Sequence, residues 1–229
     1  MKILAIDTSG KQASAAIVSE YITIGEILLN ARTGEKSWTH SEILMPGIDQ
    51  LFKLTRLEPQ DIDYIVYTCG HGSFTGLRIG ASVALGMAKS LKIQALPVPT
   101  LDALAYNAHK INKDCLVIPM LDARRGQVYT IDAGNEDGVA IAVEDFIGTV
   151  PEGHNLLFIG DGADANADLL RRSFPQALFA PLNNNSLRAS SVGLWAAEKI
   201  AAGHKFSEKV ELMYVREPQA VREKNGSKK

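Results

Sequence analysis

Lys2-Ile3-Leu4-Ala5-Ile6-Asp7-Thr8-Ser9-Gly10-Lys11-Gln12-Ala13-Ser14-Ala15-Ala16-Ile17-Val18 opens the chain: an apolar run closed by an aspartate, a polar turn, then a second apolar run. The arrangement returns as Leu116-Val117-Ile118-Pro119-Met120-Leu121-Asp122, a turn at Ala123-Arg124-Arg125-Gly126, and a strand from Gln127 to Ile131. We read the pair as a weak internal repeat with Asp7 and Asp122 in equivalent positions. Outward from the first copy, Ile22 to Leu29 is a third β-rich run. From Ser41 the period changes. Leu44, Ile48, Leu51, Phe52 and Thr55 recur at three- and four-residue steps, the pattern of an amphipathic helix. Asp61 to Thr68 returns to strand, and Gly70-His71-Gly72-Ser73 then opens a second helix ending near Leu91. Strands followed by alternating helix and strand predict an α/β layer. Pro97 and Pro99, ahead of a helical stretch from Thr100 to Lys110, mark the expected domain boundary. The domains expected are 1–99 and 100–217, with a polar tail at 218–229. Beyond the second copy, Leu156 to Ile159 is a strand leading into Gly160-Asp161-Gly162. Helices are expected through Leu169–Arg172 and from Ser190 to Ala202, the latter stopped by Gly203.

Composition excludes several classes. The chain has 229 residues, 46% hydrophobic and 22% charged, which is ordinary globular usage. Its net charge is −2, and a stand-alone tRNA or DNA clamp usually carries a basic excess. The pairs Arg124–Arg125 and Arg171–Arg172 read as solvated surface. Cys69 and Cys115 are too few for a disulfide framework and suit a reducing compartment. No apolar stretch approaches the roughly 20 residues of a membrane span, and Asp7 interrupts the opening before a secretory core develops. The expectation is a cytoplasmic protein without a membrane partner.

The glycine loop follows a strand and precedes a helix, so its N–H groups could hold an anion. The specific fingerprints fail, however. Thr75 stands where a dinucleotide motif needs its last glycine, no Asp or Glu occurs between Asp63 and Asp102, and no Gly-Lys-Ser/Thr ending is present. The five histidines are His40, His71, His109, His154 and His204; no two are three or four apart, so the helical metal pair is missing. Ser41, Ser73, Ser190 and Ser191 lack a nucleophile elbow.

The helix from Phe74 to Leu91 carries only Arg78 and Lys89 as charges. A helix apolar nearly all round is buried nearly all round. Gly76, Gly80, Ala84 and Ala88 recur every fourth residue, a row that admits a second backbone. Gly80 and Gly86 cost about 1 kcal/mol each inside a helix, a cost that close packing against a neighbour would offset. Either the helix is enclosed by its own chain or it docks on another subunit, with the Leu44/Ile48/Leu51/Phe52 helix beside it.

The run Gly70-His71-Gly72-Ser73-Phe74-Thr75-Gly76-Leu77-Arg78-Ile79-Gly80 resembles the Gly-Pro-Gly-Ser-Phe-Thr-Gly-Leu-Arg-Ile-Gly signature of the TsaB (YeaZ) family. Ile3–Ser9, His40-Ser41-Glu42-Ile43-Leu44-Met45-Pro46, Leu121-Asp122-Ala123-Arg124-Arg125, Gly160-Asp161-Gly162-Ala163 and Tyr214-Val215-Arg216 match in the right order. His71 replaces the usual proline and Val215 the usual leucine.

The resemblance implies two actin-like (ASKHA, ribonuclease H-like) lobes, each a mixed sheet with helices. It implies a non-catalytic accessory subunit that supports a TsaD-like catalytic subunit. That subunit transfers a threonylcarbamoyl group to the adenosine beside the tRNA anticodon. A TsaE-like ATPase joins the assembly, tRNA is met indirectly, and the free chain forms a homodimer. The implied partner interface is Leu44, Ile48, Leu51 and Phe52 with Gly76, Ile79, Gly80, Val83 and Met87. No cofactor or metal is expected; a nucleotide at a subunit junction stays open, with weak contact from Asp7, Asp122, Gly160 and Gly162. Two rival readings use other chemistry: an ATP-dependent phosphotransferase or ATPase built on Asp7, Asp122 and the Gly160–Gly162 loop, and a glycoprotease-like peptidase.

Overall fold

The computed structural model describes residues 1–207 except 21, 31, 34, 35, 112, 133 and 134, together with 212 and 213. The expected tail at 218–229 and the Tyr214-Val215-Arg216 match lie outside the described residues.

The opening residues form a meander of β1 (Lys2–Asp7), β2 (Gln12–Ser19) and β3 (Ile22–Asn30). The short pair β4 (Arg32–Thr33) and β5 (Lys36–Ser37) leads into α1 (His40–Thr55). β6 (Tyr64–Gly70), α2 (Phe74–Leu91) and β7 (Gln94–Pro99) complete the first half. The second half repeats the order: α3 (Thr100–Ile111), β8 (Cys115–Asp122), β9 (Gln127–Asp132), β10 (Asn135–Ala142), α4 (Val143–Ile147), β11 (Asn155–Ile159), α5 (Asp161–Ala165), α6 (Ala167–Ser173), β12 (Leu178–Phe179) and α7 (Ala189–Ala201).

Both five-stranded sheets have one topology, β3-β2-β1-β6-β7 and β10-β9-β8-β11-β12. In each, the first three strands are antiparallel and the last two run parallel to the first. These are the two actin-like lobes, and Asp7 and Asp122 end the first strand of their respective sheets. Pro97 and Pro99 lie inside β7 itself. They are tolerated because β7 is an edge strand, where a missing N–H costs no ladder bond on the outer side.

Three apolar clusters separate the layers. Leu44, Ile48 and Leu51 of α1 and Ala81, Ala84 and Ala88 of α2 pack on Leu4, Ile6, Ile17 and Ile65, the outer face of the first sheet. Leu104 and Ala105 of α3 and Val192 and Ala196 of α7 fill the space between the sheets, against Ile3, Val18 and Val66 on one side and Val117 and Leu157 on the other. Val143 and Phe146 of α4 and Leu170 of α6 cover Ile118, Met120 and Phe158 on the far face. The middle helices are exchanged between halves: α3 follows the first sheet but packs on β8, while α7 follows the second and packs on β1 and β2. No helix among the described residues is long and apolar enough to cross a membrane.

Candidate functional site

The glycine loop and the β1–β2 turn interlock. The Ser73 N–H donates to the Ser9 carbonyl at 2.7 Å, and the Thr8 hydroxyl donates to the Gly76 carbonyl at 2.7 Å. Gly72, at φ +147°, permits this approach: a Cβ there would stand 2.5 Å from the Ser9 carbonyl oxygen. The Ser73 hydroxyl accepts from the Gly76 N–H at 3.2 Å and caps α2. His71 is buried beside the Tyr129 ring, centroids 5.4 Å apart, so the residue in the proline's place sits where the first half meets β9.

Asp7 lies beneath this lock, 2% exposed. One oxygen, Oδ1, accepts from the Ser9 N–H at 3.0 Å, the Ser9 hydroxyl at 2.7 Å and the Thr68 hydroxyl at 2.9 Å. Burial pushes its carboxyl above the usual range, and the Ser9 and Thr68 bonds offset only part of that. Asp7 therefore tightens a turn inside its own lobe. Of the residues expected near a nucleotide, Asp7 is buried with Oδ1 taken up by Ser9 and Thr68.

The equivalent corner of the second lobe is open. Asp122 is exposed, accepts from the Arg124 N–H at 2.7 Å and donates its own N–H to Asp161 Oδ1 at 2.9 Å. Lys11 Nζ reaches across from the β1–β2 turn to Asp161 Oδ2 at 3.9 Å. Gly160, at φ +114°, donates its N–H to Asn185 Oδ1. Gly162 is buried, pressed against the Leu121 and Asp122 backbone, so its lack of a Cβ serves internal packing. The structure thus gathers Asp122, Gly160 and Gly162, with Asp161 and Lys11. Two carboxylates and one lysine at an open rim can bind weakly. Among the described residues, no group of three or more His, Cys, Asp or Glu side chains is placed to hold a metal ion.

The paired helices of the first lobe carry the remaining candidates. Leu44, Ile48, Leu51 and Phe52 are 3%, 1%, 2% and 7% exposed, packed on their own sheet. In the isolated chain the apolar stripe of α1 is taken up by the lobe's own core. At Gly76 and Gly80 the space a Cβ would take is filled by Thr8. Ile79, Val83 and Met87 are half-buried and flank the outer face of α2, where Thr75, Arg78, Ser82 and Gly86 are exposed. The sequence reading missed Met45 and Pro46, exposed on α1, although an apolar residue beside the stripe was the available signal. It also missed a cavity of about 510 Å³ between α3 and α7, lined by Asp102, Tyr106, Trp195 and Glu198 among others. Burial and a hydrogen bond to Glu198 raise the Tyr106 phenol pKa.

Comparison with known proteins follows the same lines. Residues 34–215 match the family model described as TsaD: tRNA N6-adenosine threonylcarbamoyltransferase. The tRNA threonylcarbamoyladenosine biosynthesis protein TsaB of Bacillus subtilis (strain 168) is 40% identical over 130 residues, covering 57% of this chain and 54% of that protein. The Escherichia coli (strain K12) protein of the same name is 32% identical over 129 residues, 56% of this chain and 53% of its own. The matched stretch thus spans about half the length of these curated relatives. YeaZ from Pseudomonas aeruginosa shares the fold at TM-score 0.73 and 22% identity, covering 93% of this chain and 99% of that one. With most of its length matched by the family model and its relatives named TsaB, the chain belongs to the TsaD-type family of tRNA threonylcarbamoyladenosine proteins, on the TsaB/YeaZ branch.

Proposed function

We propose that the chain is a non-catalytic accessory subunit in the cytoplasmic transfer of a threonylcarbamoyl group to the tRNA adenosine next to the anticodon. It binds and supports a TsaD-like catalytic subunit; a TsaE-like ATPase joins the assembly, and tRNA is met through the partners. Without them, two copies meet through the same helix face. The observation that carries the reading is Gly86. A glycine in a helix interior costs about 1 kcal/mol relative to alanine. At Gly80 the vacated space is used by Thr8, but at Gly86 nothing among the described residues beyond its own turn of helix comes within 4 Å of the missing Cβ. Gly86 stands on the outer face of α2, between Val83 and Met87 and clear of the lobe's core. A second polypeptide docking there would bury roughly 800 Å² on this side.

Light scattering after size exclusion, with the chain alone and with a TsaD-like subunit, tests the interface. Gly86→Leu and Met87→Lys should abolish co-elution while leaving the circular dichroism unchanged. Co-elution of both variants at unaltered affinity would sink the proposal. The second reading, a nucleotide-using enzyme, draws support from Asp122, Asp161 and Lys11 at the open rim. Calorimetric titration with Mg-ATP separates the two: the accessory reading expects no tight binding by the isolated chain, and a micromolar site lost in Asp122→Asn would favour the enzyme.

A further inference from the structure

The chain leaves α7 on one face of the first sheet and returns on the other. Phe206 packs on the apolar cluster between the sheets, its ring edge-on to Trp195 with centroids 6.3 Å apart. Leu212 and Met213 instead join the outer cluster, the one that seats α1 and α2.

The point of return is the end of β6, beside the glycine loop. β6 outlasts β1 there, because their register stops at Ile6 and Tyr67, and Pro99 opposite Gly70 on β7 has no N–H to give. The Met213 N–H donates to the Cys69 carbonyl at 2.7 Å. Gly70, at φ +132°, leaves the room for it: a Cβ there would stand 2.7 Å from the Met213 carbonyl oxygen and 2.9 Å from the Met213 Cβ. Three residues on, Ser73 bonds the β1–β2 turn and caps α2. Ile79, Val83 and Met87 of α2 pack on the same cluster as Leu212 and Met213. The returning segment therefore bears on α2 twice, at the loop that starts it and in the cluster beneath its half-buried residues.

We propose that Leu212–Met213 is a latch whose seating is coupled to partner docking on α2. A partner on the outer face of α2 fixes Ile79, Val83 and Met87, and with them the cluster that holds the latch. A seated latch fixes Gly70 and the start of α2 before the partner arrives. Such coupling is reciprocal: the factor by which the latch raises partner affinity is the factor by which the partner favours the closed latch. Segments held by few contacts open locally at far less cost than global unfolding, so the latch can open while both sheets stay folded. The inference rests on the reading of α2 as the docking face.

Amide exchange followed by NMR, and affinity for a TsaD-like subunit, test it in the full chain. Met213→Pro removes the N–H and should speed exchange at Ser73, Gly76 and Leu77 about tenfold, with the amides of β8 and β11 and the circular dichroism unchanged. It should weaken partner binding about tenfold as well. Met213→Leu keeps both the N–H and the apolar bulk and should match the parent in both measurements. In the parent, adding the partner should slow exchange of the Met213 amide about tenfold. Unaltered loop exchange in Met213→Pro overturns the proposal, and so does unaltered partner affinity in a variant whose loop has loosened. A parent Met213 amide that exchanges equally with and without bound partner overturns it too, whatever the variants do. A parent that binds no TsaD-like subunit sinks the docking reading and the coupling with it, while loop exchange in Met213→Pro still decides whether the latch holds the start of α2.

Discussion

Two glycines of α2, six residues apart, have opposite roles, and single substitutions distinguish them. Gly80→Ala pushes a methyl group into the Thr8 hydroxyl, which is itself fixed to the Gly76 carbonyl. Overpacking of this kind costs about 1–3 kcal/mol, and the denaturant midpoint should fall accordingly. Gly86→Ala meets nothing among the described residues and relieves the backbone entropy of glycine, so the same measurement should show a gain of up to about 1 kcal/mol. A loss at Gly86 would mean that the chain itself uses that space. Asp7 gives a pH-dependent counterpart. Its folded pKa is raised above the ordinary 3.8, so the folded state binds that proton more tightly than the unfolded chain does. The stability it lends is complete below pH 3.8 and is lost as pH rises through the raised folded value. Ionised Asp7 is therefore a net burden at neutral pH. Asp7→Asn keeps an oxygen for the Ser9 and Thr68 donors and should melt above the parent at pH 7, with the gap closing toward pH 3. A constant gap across that range would show that its carboxyl titrates normally. Cys69 follows from the same physics: burial pushes its thiol up to about 12, so alkylating reagents should modify it only when the chain opens.

Helix α7 is held at its start by a strand from the other half of the chain. Glu26 of β3 accepts from Arg188 and from the N–H and hydroxyl of Ser190 in the first turn of α7, and Ser14 accepts from the Ala189 N–H at 3.0 Å. The Glu26 side chain is 9% exposed, so truncation leaves donors buried and unpaired. Glu26→Ala should cost about 2 kcal/mol in urea unfolding, within the range for an orphaned buried donor. A change below about 0.5 kcal/mol, the level of an exposed pair, would show that water replaces the carboxylate freely. At this scale much of the fold was legible. The bounds of α2 match the reading because Ser73 caps it and Lys92 leaves the helix in a left-handed conformation. The repeat was legible because Asp7 and Asp122 each close an apolar strand. What helix faces touch was not legible. Periodicity at Leu44, Ile48, Leu51 and Phe52 states that a stripe is buried without stating against what, and the chain's own sheet has first claim on it. The burial of Asp7 was hidden for a related reason: the lock above it joins residues more than sixty positions apart. The start of β10 carried no periodic signal of its own, and β7 was masked by its two prolines.

The exchange of α3 and α7 binds the halves into one cooperative unit, although the chain passes from the first sheet to the second only once. The inner face of the first sheet presents Ile3, Ala5, Val18, Val66 and Val98, and it is covered from beyond residue 99 by Val192, Ala196 and Ala197 of α7 together with α3. Gly193 brings α7 close enough that a Cβ would lie 2.8 Å from a Val18 methyl group. A fragment of residues 1–99 would leave that face in water. At roughly 25 cal/mol per Å² of apolar surface, the loss rivals the whole 5–15 kcal/mol stability of a typical domain. The connection therefore permits a cut at 99/100 that the packing forbids. Calorimetry of the full chain should show a single transition whose calorimetric and van't Hoff enthalpies agree. The fragment 1–99 should lack a cooperative melt, and mixing it with 100–229 should restore one. A sigmoidal melt from 1–99 alone would mean that α1 and α2 suffice to hold the first sheet, and that α7 is a tether between two self-sufficient lobes.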